Sequence, residues 1–395
     1  PVKIACSEPG NQPMNEIENP LNIDVSSVDP SVEADRMLTV CNACRYCEGY
    51  CPVFKAITYR RVFDNPDLDY LANLCHQCGA CYQACQYAPP HEFGIDVPKA
   101  LSLLRAENYA RYAWPLRAGK LFQNNPTWLS LITGLCMALL MYLSNTSVSI
   151  DETTDSGNFY SIISHSVMVA FAGLTFACAS IALVLGMRRY WRTITNKATL
   201  SFNLGVLNKA IRASLNLTHL SKHNNVGCPG DGEEPSPWKR YSHQLTLWGF
   251  LLCFVSTCIA TAYHYLLGIP APYPYQSIPV LIGTLGGLML LSGTSGFIYL
   301  KFNQRRARQM GQLQLQLDLT LTTSLWLIAL SGLLLLALRE TNAMPTLLLV
   351  HLGFVFGFFI TMPYSKMVHG LFRMLSLTLF YAEAEDAVGD PTGSE

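Results

Sequence analysis

From Thr127 onward the chain carries six apolar stretches, at about 127–144, 159–187, 242–267, 277–300, 317–338 and 345–372. Each meets the roughly 17–25 residues needed to cross the hydrocarbon core of a bilayer. Lipid offers no partner to a backbone N–H or C=O, so such stretches must satisfy their own hydrogen bonds as helices. Charged residues make up 14% of the sequence, against about 25% in an average soluble domain. The deficit lies in the second part of the chain, and residues 1–120 read as ordinary soluble protein. With a formal net charge of zero, the global balance gives no reason to expect nucleic acid as a partner.

The connections between the stretches differ in charge. Segment 188–240 holds nine Lys and Arg, and 301–316 adds Lys301, Arg305, Arg306 and Arg308. On the other side, 145–158 and 268–276 have none, and 339–344 has only Arg339. The positive-inside rule therefore places both termini and the N-terminal part in the cytoplasm, giving a multi-pass protein of a bacterial inner membrane. Within 188–240, Leu200–Leu220 mixes Leu, Val and Ile with Lys209 and Arg212. It is expected to form an amphipathic helix on the membrane lipid or under the N-terminal domain. In the fourth stretch Gly283 and Gly287 stand in GxxxG register, which points to close helix packing.

Fourteen cysteines are present, and eight of them form two compact runs. The first is Cys41-Asn-Ala-Cys44-Arg-Tyr-Cys47-Glu-Gly-Tyr-Cys51-Pro52, the second Cys75-His-Gln-Cys78-Gly-Ala-Cys81-Tyr-Gln-Ala-Cys85. Both follow C-x2-C-x2-C-x3-C, the spacing of bacterial two-cluster ferredoxins, where the fourth cysteine serves the other cluster. Three thiolates two residues apart can wrap one cubane while the fourth points away. One [4Fe–4S] cluster is thus expected on Cys41, Cys44, Cys47 and Cys85, and a second on Cys75, Cys78, Cys81 and Cys51. Zinc usually takes paired C-x2-C knuckles instead. No secretory signal pattern precedes the runs, so a reducing compartment is expected. Gln86 stands where a proline often follows the fourth cysteine. The linker between the runs shows little strand alternation, which favours a helical ferredoxin fold over a β-α-β one.

The expected organisation follows. A flexible leader occupies 1–30, then a cytoplasmic two-cluster ferredoxin-like domain 31–120 whose first helix is capped near Ser31. Another helix starts at Val97-Pro98. A six-helix membrane domain covers 121–381 and a flexible tail 382–395. The fold class is mainly α.

Ionisable side chains inside a bilayer are expensive and usually functional. His165, His264 and His351 fall within the apolar stretches, and His243 and His369 near their ends. Neutral imidazoles from facing helices are strong axial ligands for haem b. On a single sixth helix, His351 and His369 are 18 residues apart and so share a face five turns and about 27 Å apart, while His243 and His264 are separated by about 31 Å on the third helix. Matching depths pairs His243 with His369 on the cytoplasmic side and His264 with His351 on the outer side, with one haem or two. His165 either replaces an outer partner, serves a quinone or packs. His76 and His91 are read as residues surrounding the clusters.

Several stretches carry a resemblance. His351-Leu-Gly-Phe and Met362-Pro363-Tyr-Ser-Lys-Met-Val-His369 resemble the last haem helix of respiratory nitrate reductase gamma subunits. Together with Cys81-Tyr-Gln-Ala-Cys-Gln-Tyr-Ala-Pro-Pro-His-Glu-Phe, Leu247-Trp-Gly-Phe, Tyr263-His-Tyr-Leu-Leu-Gly and Pro363–Arg373, they make residues 33–381 similar to the tricarballylate and citrate utilisation electron-transfer family, TcuB or CitB. The resemblance implies an FAD-dependent tricarballylate dehydrogenase as partner. It also implies electron transfer through the clusters and haem b to the membrane quinone pool. No G-x-G-x-x-G after a strand suggests a flavin site on this chain itself. A rival reading is the iron–sulfur and haem subunit of a thiol- or heterodisulfide-reductase-like oxidoreductase, but the extra cysteine module it needs is not found. A transporter reading would want Pro/Gly-broken helix pairs and intramembrane acids, of which Asp318 is the one candidate.

Overall fold

A computed structural model describes residues 29–144, 159–196, 203–220, 238–303 and 312–389. Nearly all of the expected leader lies outside them. Among the described residues there are helices and turns and no strand, so the ferredoxin-like part is helical.

Helix α1 (Pro30–Cys44) is capped by Asp29, whose carboxylate accepts from Ser31 N at 2.8 Å. The cap is thus two residues earlier than Ser31, which lies in the first turn. Proline at the first helical position is already shaped for it. Short α2 (Pro52–Ile57) follows Cys51, and α3 (Asn65–Leu74) opens on a capping box between Asp64 and Asp67. Then come α4 (Ala80–Gln83), α5 (Val97–Arg111) with Pro98 in its first turn as expected, and α6 (Leu116–Asn124).

Among the described residues, six helices are long and apolar enough to cross a membrane. They are α7 (Pro126–Ser144), α8 (His165–Ile194), α10 (Trp238–Leu266), α11 (Ile278–Asn303), α12 (Gln312–Ala337) and α13 (Met344–Thr361). Their outer faces are exposed and apolar; Leu135 on α7 is 71% exposed. This is the surface expected to meet lipid. The first five sit near the expected spans. Helix α8 starts later, at His165, and runs on to Ile194, where Tyr190 is fully buried.

The sixth span corrects the sequence reading. No single helix covers 345–372: α13 ends at Thr361, and short 3-10 turns occupy Met362–Tyr364 and Lys366–Val368. A new helix, α14 (His369–Gly389), begins at the histidine itself. Pro363 has no N–H to continue the helix, and its ring clashes with the carbonyl four residues back. Ser365 is extended, at ψ 173°. His351 and His369 therefore sit on different helices and share no common face. The tail expected from 382 is also helical up to Gly389.

The membrane helices pack through small residues. A Cβ on Gly286 of α11 would meet Cys253 N of α10 at 2.9 Å, and one on Gly293 would meet Thr246 N at 2.6 Å. On α13, a Cβ at Gly357 would lie 2.7 Å from Gly134 Cα of α7. The GxxxG pair does pack, but onto two neighbours: Gly283 faces Ser256 on α10 and Gly287 faces Leu333 on α12.

Helix α9 (Leu204–Asn216) fulfils the amphipathic expectation over part of Leu200–Leu220; residues 200–202 lie outside the described ones. It buries Val206, Ala210 and Ala213, packs beside α14 and exposes Leu204 and Leu207. One hydrophobic core unites α1, α2, α3 and α5 with Tyr190 of α8, Ala210 of α9 and Phe372, Leu377 and Leu379 of α14. Tyr190 and Phe372 stack at 4.5 Å within it. The two parts of the chain thus share a core instead of touching as separate bodies.

Candidate functional site

The eight thiols sort into two quartets, and the fourth cysteine of each run crosses over. Cys41, Cys44, Cys47 and Cys85 line one cavity of about 190 Å³, with Val40, Phe54 and Tyr87 in its wall. Burial pushes the Cys41 thiol up to about 12, and the neighbouring Cys85, Cys47 and Cys44 push in the same direction. Cys47 is raised to about 11 by burial and then by Cys85 and Cys44. The second quartet is Cys51, Cys75, Cys78 and Cys81. Burial raises Cys51, and its charge neighbours are Cys75 and Cys78. Burial also raises Cys81, and the charges of Cys51, Cys75, Cys78 and then Cys47 push it in the same direction.

Local backbone explains the arrangement. The residue after the second cysteine of each run is left-handed, Arg45 at φ 55° and Gly79 at φ 81°, which turns the chain back around the thiols. Cys51 directly precedes Pro52 at the start of α2 and so points away from its own run. Cys85 is followed by a turn and no helix, as Gln86 lacks the fixed φ of proline. Among the described residues no three His, Cys, Asp or Glu side chains gather closely enough for a single ion. The sulfurs of Cys41, Cys44, Cys47 and Cys85 instead line a space, which suits soft thiolate ligation of a cluster.

Cations surround the loop of the second run. Arg105 donates to Cys75 O at 2.7 Å and to Gln77 Oε1 at 2.5 Å. Arg373 also donates to Cys75 O, and Lys239 Nζ donates to Gln77 O at 3.0 Å. The Nε atoms of Arg105 and Arg373 are buried without a hydrogen-bond partner. At Cys75, burial raises the thiol while Arg105, the Gln77 N–H and Arg373 pull the other way.

The histidines divide. His243 on α10 and His369 at the start of α14 face each other with ring centroids 6.1 Å apart and planes 78° apart. His369 Nδ1 lies 2.6 Å from Lys366 O, which leaves its Nε2 as the free nitrogen. His243 Nδ1 is buried without a partner. Two imidazoles on one iron hold their centroids roughly 6 Å apart, taking about 2 Å for each metal–nitrogen bond, so the spacing fits a shared metal. The outer histidines are arranged otherwise. His264 stacks on His165 at 4.0 Å with Tyr160 beside them. His351 turns to Ser331 Oγ at 3.1 Å, and its ring fills the space left by Gly332. The structure thus brings His243 to His369, and it brings His264 to His165, not to His351. His76 is buried against His219, and His91 is exposed beside Tyr87 and Phe93.

Comparison with known proteins bears directly on this arrangement. The profile of the Citrate utilization protein B family matches residues 120–388, and that of its Fer4-like domain matches 34–111. The chain belongs to the citrate utilization protein B family. It is 41% identical over 352 residues to Citrate utilization protein B of Escherichia coli, covering 88% of this chain and 91% of that protein. No solved structure matches. The Fer4-like domain with its clustered cysteines and the six apolar helices make this family member a multi-pass iron–sulfur protein of the electron-transfer kind.

In the sequence Lys239 counts only as a loop charge and Arg373 only as part of a family-like stretch, and Arg105 has no role at all. A signal was present: Lys239 and His243 are four residues apart, as are His369 and Arg373. On a helix that spacing puts both members on one face.

Proposed function

We propose that this chain carries electrons from an FAD-dependent tricarballylate dehydrogenase, through two [4Fe–4S] clusters and haem b, to the membrane quinone. The observation that carries the reading is the crossing of the two thiol quartets, with the Cys75–Cys78 loop reaching membrane helix α10 and helix α14, which hold His243 and His369. The clusters and the haem supply one-electron redox chemistry; the protein's task is to hold, space and shield them. Cys41, Cys44, Cys47 and Cys85 are the ligands of one cluster, and Cys75, Cys78, Cys81 and Cys51 of the other. His243 and His369 would hold one haem between them. The carbonyl of Lys366 fixes the His369 ring through Nδ1, the kind of outer contact that sets the orientation of a ligating imidazole. His264 and His351 meet no such spacing, and our proposal assigns them no shared iron. The basic loops on one side set the orientation, with termini and clusters in the cytoplasm of an inner membrane.

The test is metal analysis and optical spectroscopy on the purified full-length protein. The reading expects about eight cluster irons and a b-type band in the reduced-minus-oxidised spectrum. Cys44→Ser and Cys78→Ser should each remove one cluster while the protein still inserts into the membrane. Zinc in place of iron, or a single cluster lost in both variants, would sink the two-cubane claim. Absence of the b-type band would remove the haem.

A further inference from the structure

Resting on that reading, we propose that the cluster of the Cys75–Cys78 loop is the one that delivers electrons into the membrane, with Lys239 and Arg373 as the positioning residues that dock it over His243 and His369. Two helices make the same connection in opposite chain directions. On α10, Lys239 precedes His243 by four residues; on α14, Arg373 follows His369 by four. Four residues are about one turn and about 6 Å of helix. At one level the imidazoles face each other at 6.1 Å. One turn away, the two cations end on neighbouring carbonyls of the same loop: Lys239 on Gln77 O at 3.0 Å, Arg373 on Cys75 O. Arg105 completes the grip from α5 through Cys75 O and Gln77 Oε1.

Gln77 itself is held at φ 54°, a left-handed conformation that a non-glycine residue keeps only when its surroundings enforce it. Three cationic side chains on the carbonyls and amide of one loop supply that enforcement. The buried, unpartnered Nε atoms of Arg105 and Arg373 remain as donors for an acceptor the loop would hold. Sulfur atoms of a cluster have that character, and hydrogen bonds to sulfur together with net charge set a cluster's potential. The cavity of the other quartet has no Lys or Arg in its wall. Positive charge stabilises the reduced form, so the Cys75 side holds the higher potential and electrons run downhill towards the membrane. With these groups bound, the Cys41 side would give up each electron to the Cys75 side, which would pass it to the haem that His243 and His369 would hold. Reduced flavin of the partner supplies two electrons in succession, and the quinone accepts both together with two protons.

The experiment is an EPR-monitored redox titration of the full-length protein in detergent, with Lys239→Gln and Arg373→Gln. Cys44→Ser and Cys78→Ser identify which signal belongs to which quartet. The expected result is a shift to lower potential of the signal that Cys78→Ser abolishes, with the Cys44 signal unmoved. Lys239→Arg should restore the potential. If Arg373→Gln loses iron, Lys239→Gln with its iron content verified decides alone. A shift of the Cys44 signal, or of neither, overturns the assignment. Loss of all cluster signals in the unmutated protein would instead overturn the underlying electron-transfer reading.

Discussion

Histidines of similar appearance in the sequence have different surroundings in the fold. His369 has one nitrogen committed to the Lys366 carbonyl, whereas His351 is committed to Ser331 and wedged against Gly332. On the proposed haem assignment, His243→Ala and His369→Ala should therefore cause the same loss in the b-type spectrum, because each would leave its iron with an open position. His351→Ala should leave that band in place and show its effect in thermal stability. Matching spectral losses in the His351 and His264 variants, with no change in the His243 one, would reverse the assignment. Next to this pair, Asp318 meets Lys301 at 2.8 Å without hydrogen-bond alignment and also binds Lys366 and Gln314. Asp318→Asn strands two buried ammonium groups, at a cost of about 3–5 kcal/mol. The check is a lowered melting temperature in detergent, with a perturbed haem band, since Lys366 also orients His369. The grouping of Cys41, Cys44, Cys47 and Cys85 around one cavity was legible because it follows from local spacing and one crossing residue. The histidine partners were not, as pairing depends on where distant helices stop.

Elements were read well where hydrophobicity alone decides them. Runs of bilayer length gave six spans because backbone in lipid has few options. At 345–372 apolar content runs on past Pro363, so hydrophobicity does not mark where the helix stops. The missing N–H of Pro363 and the extended Ser365 break the segment into α13, two turns and α14. That break moves His369 out of the register of His351. Packing between elements was only partly legible: the GxxxG register was visible, yet backbone approaches closer than those of Gly283 and Gly287 lie at Gly249, Gly293 and Gly357. Gly357→Leu should force α13 away from α7 and cost about 1–3 kcal/mol through overpacking. Gly370→Ala, with open space around its Cβ, is the matched control. Equal melting temperatures for the two variants would contradict this account of α7–α13 packing.

At the scale of the whole molecule, the expectation of a ferredoxin-like domain followed by a membrane domain captured the order of parts but not their union. Amphipathic patterning shows that a helix has an apolar face; it does not say which distant element covers it. Here α14 returns to the N-terminal core, and Glu383 closes on Arg60 and Tyr70 at 323 and 313 residues' separation. Arg60 and Glu383 are each 13% exposed at the side chain, a largely buried pair. Glu383→Ala should cost about 3–5 kcal/mol by leaving the guanidinium short of a partner. Limited proteolysis should then cut within residues 29–111 sooner than in the parent protein, while cleavage in the membrane helices stays unchanged. Unchanged proteolysis would show that Asp67, 2.5 Å from Arg60, suffices alone.

The same return of α14 dictates an order of manufacture. Synthesis proceeds from the N-terminus at about 5–20 residues per second. When the ribosome has made both cysteine runs, the helix that carries Phe372, Arg373 and Glu383 does not yet exist. The N-terminal core must wait, with one wall missing, while all six spans enter the bilayer. A nascent chain stalled before α14 would therefore present an open iron–sulfur domain to the cell's cluster-loading and quality-control machinery, and closure would certify that the membrane part has been threaded.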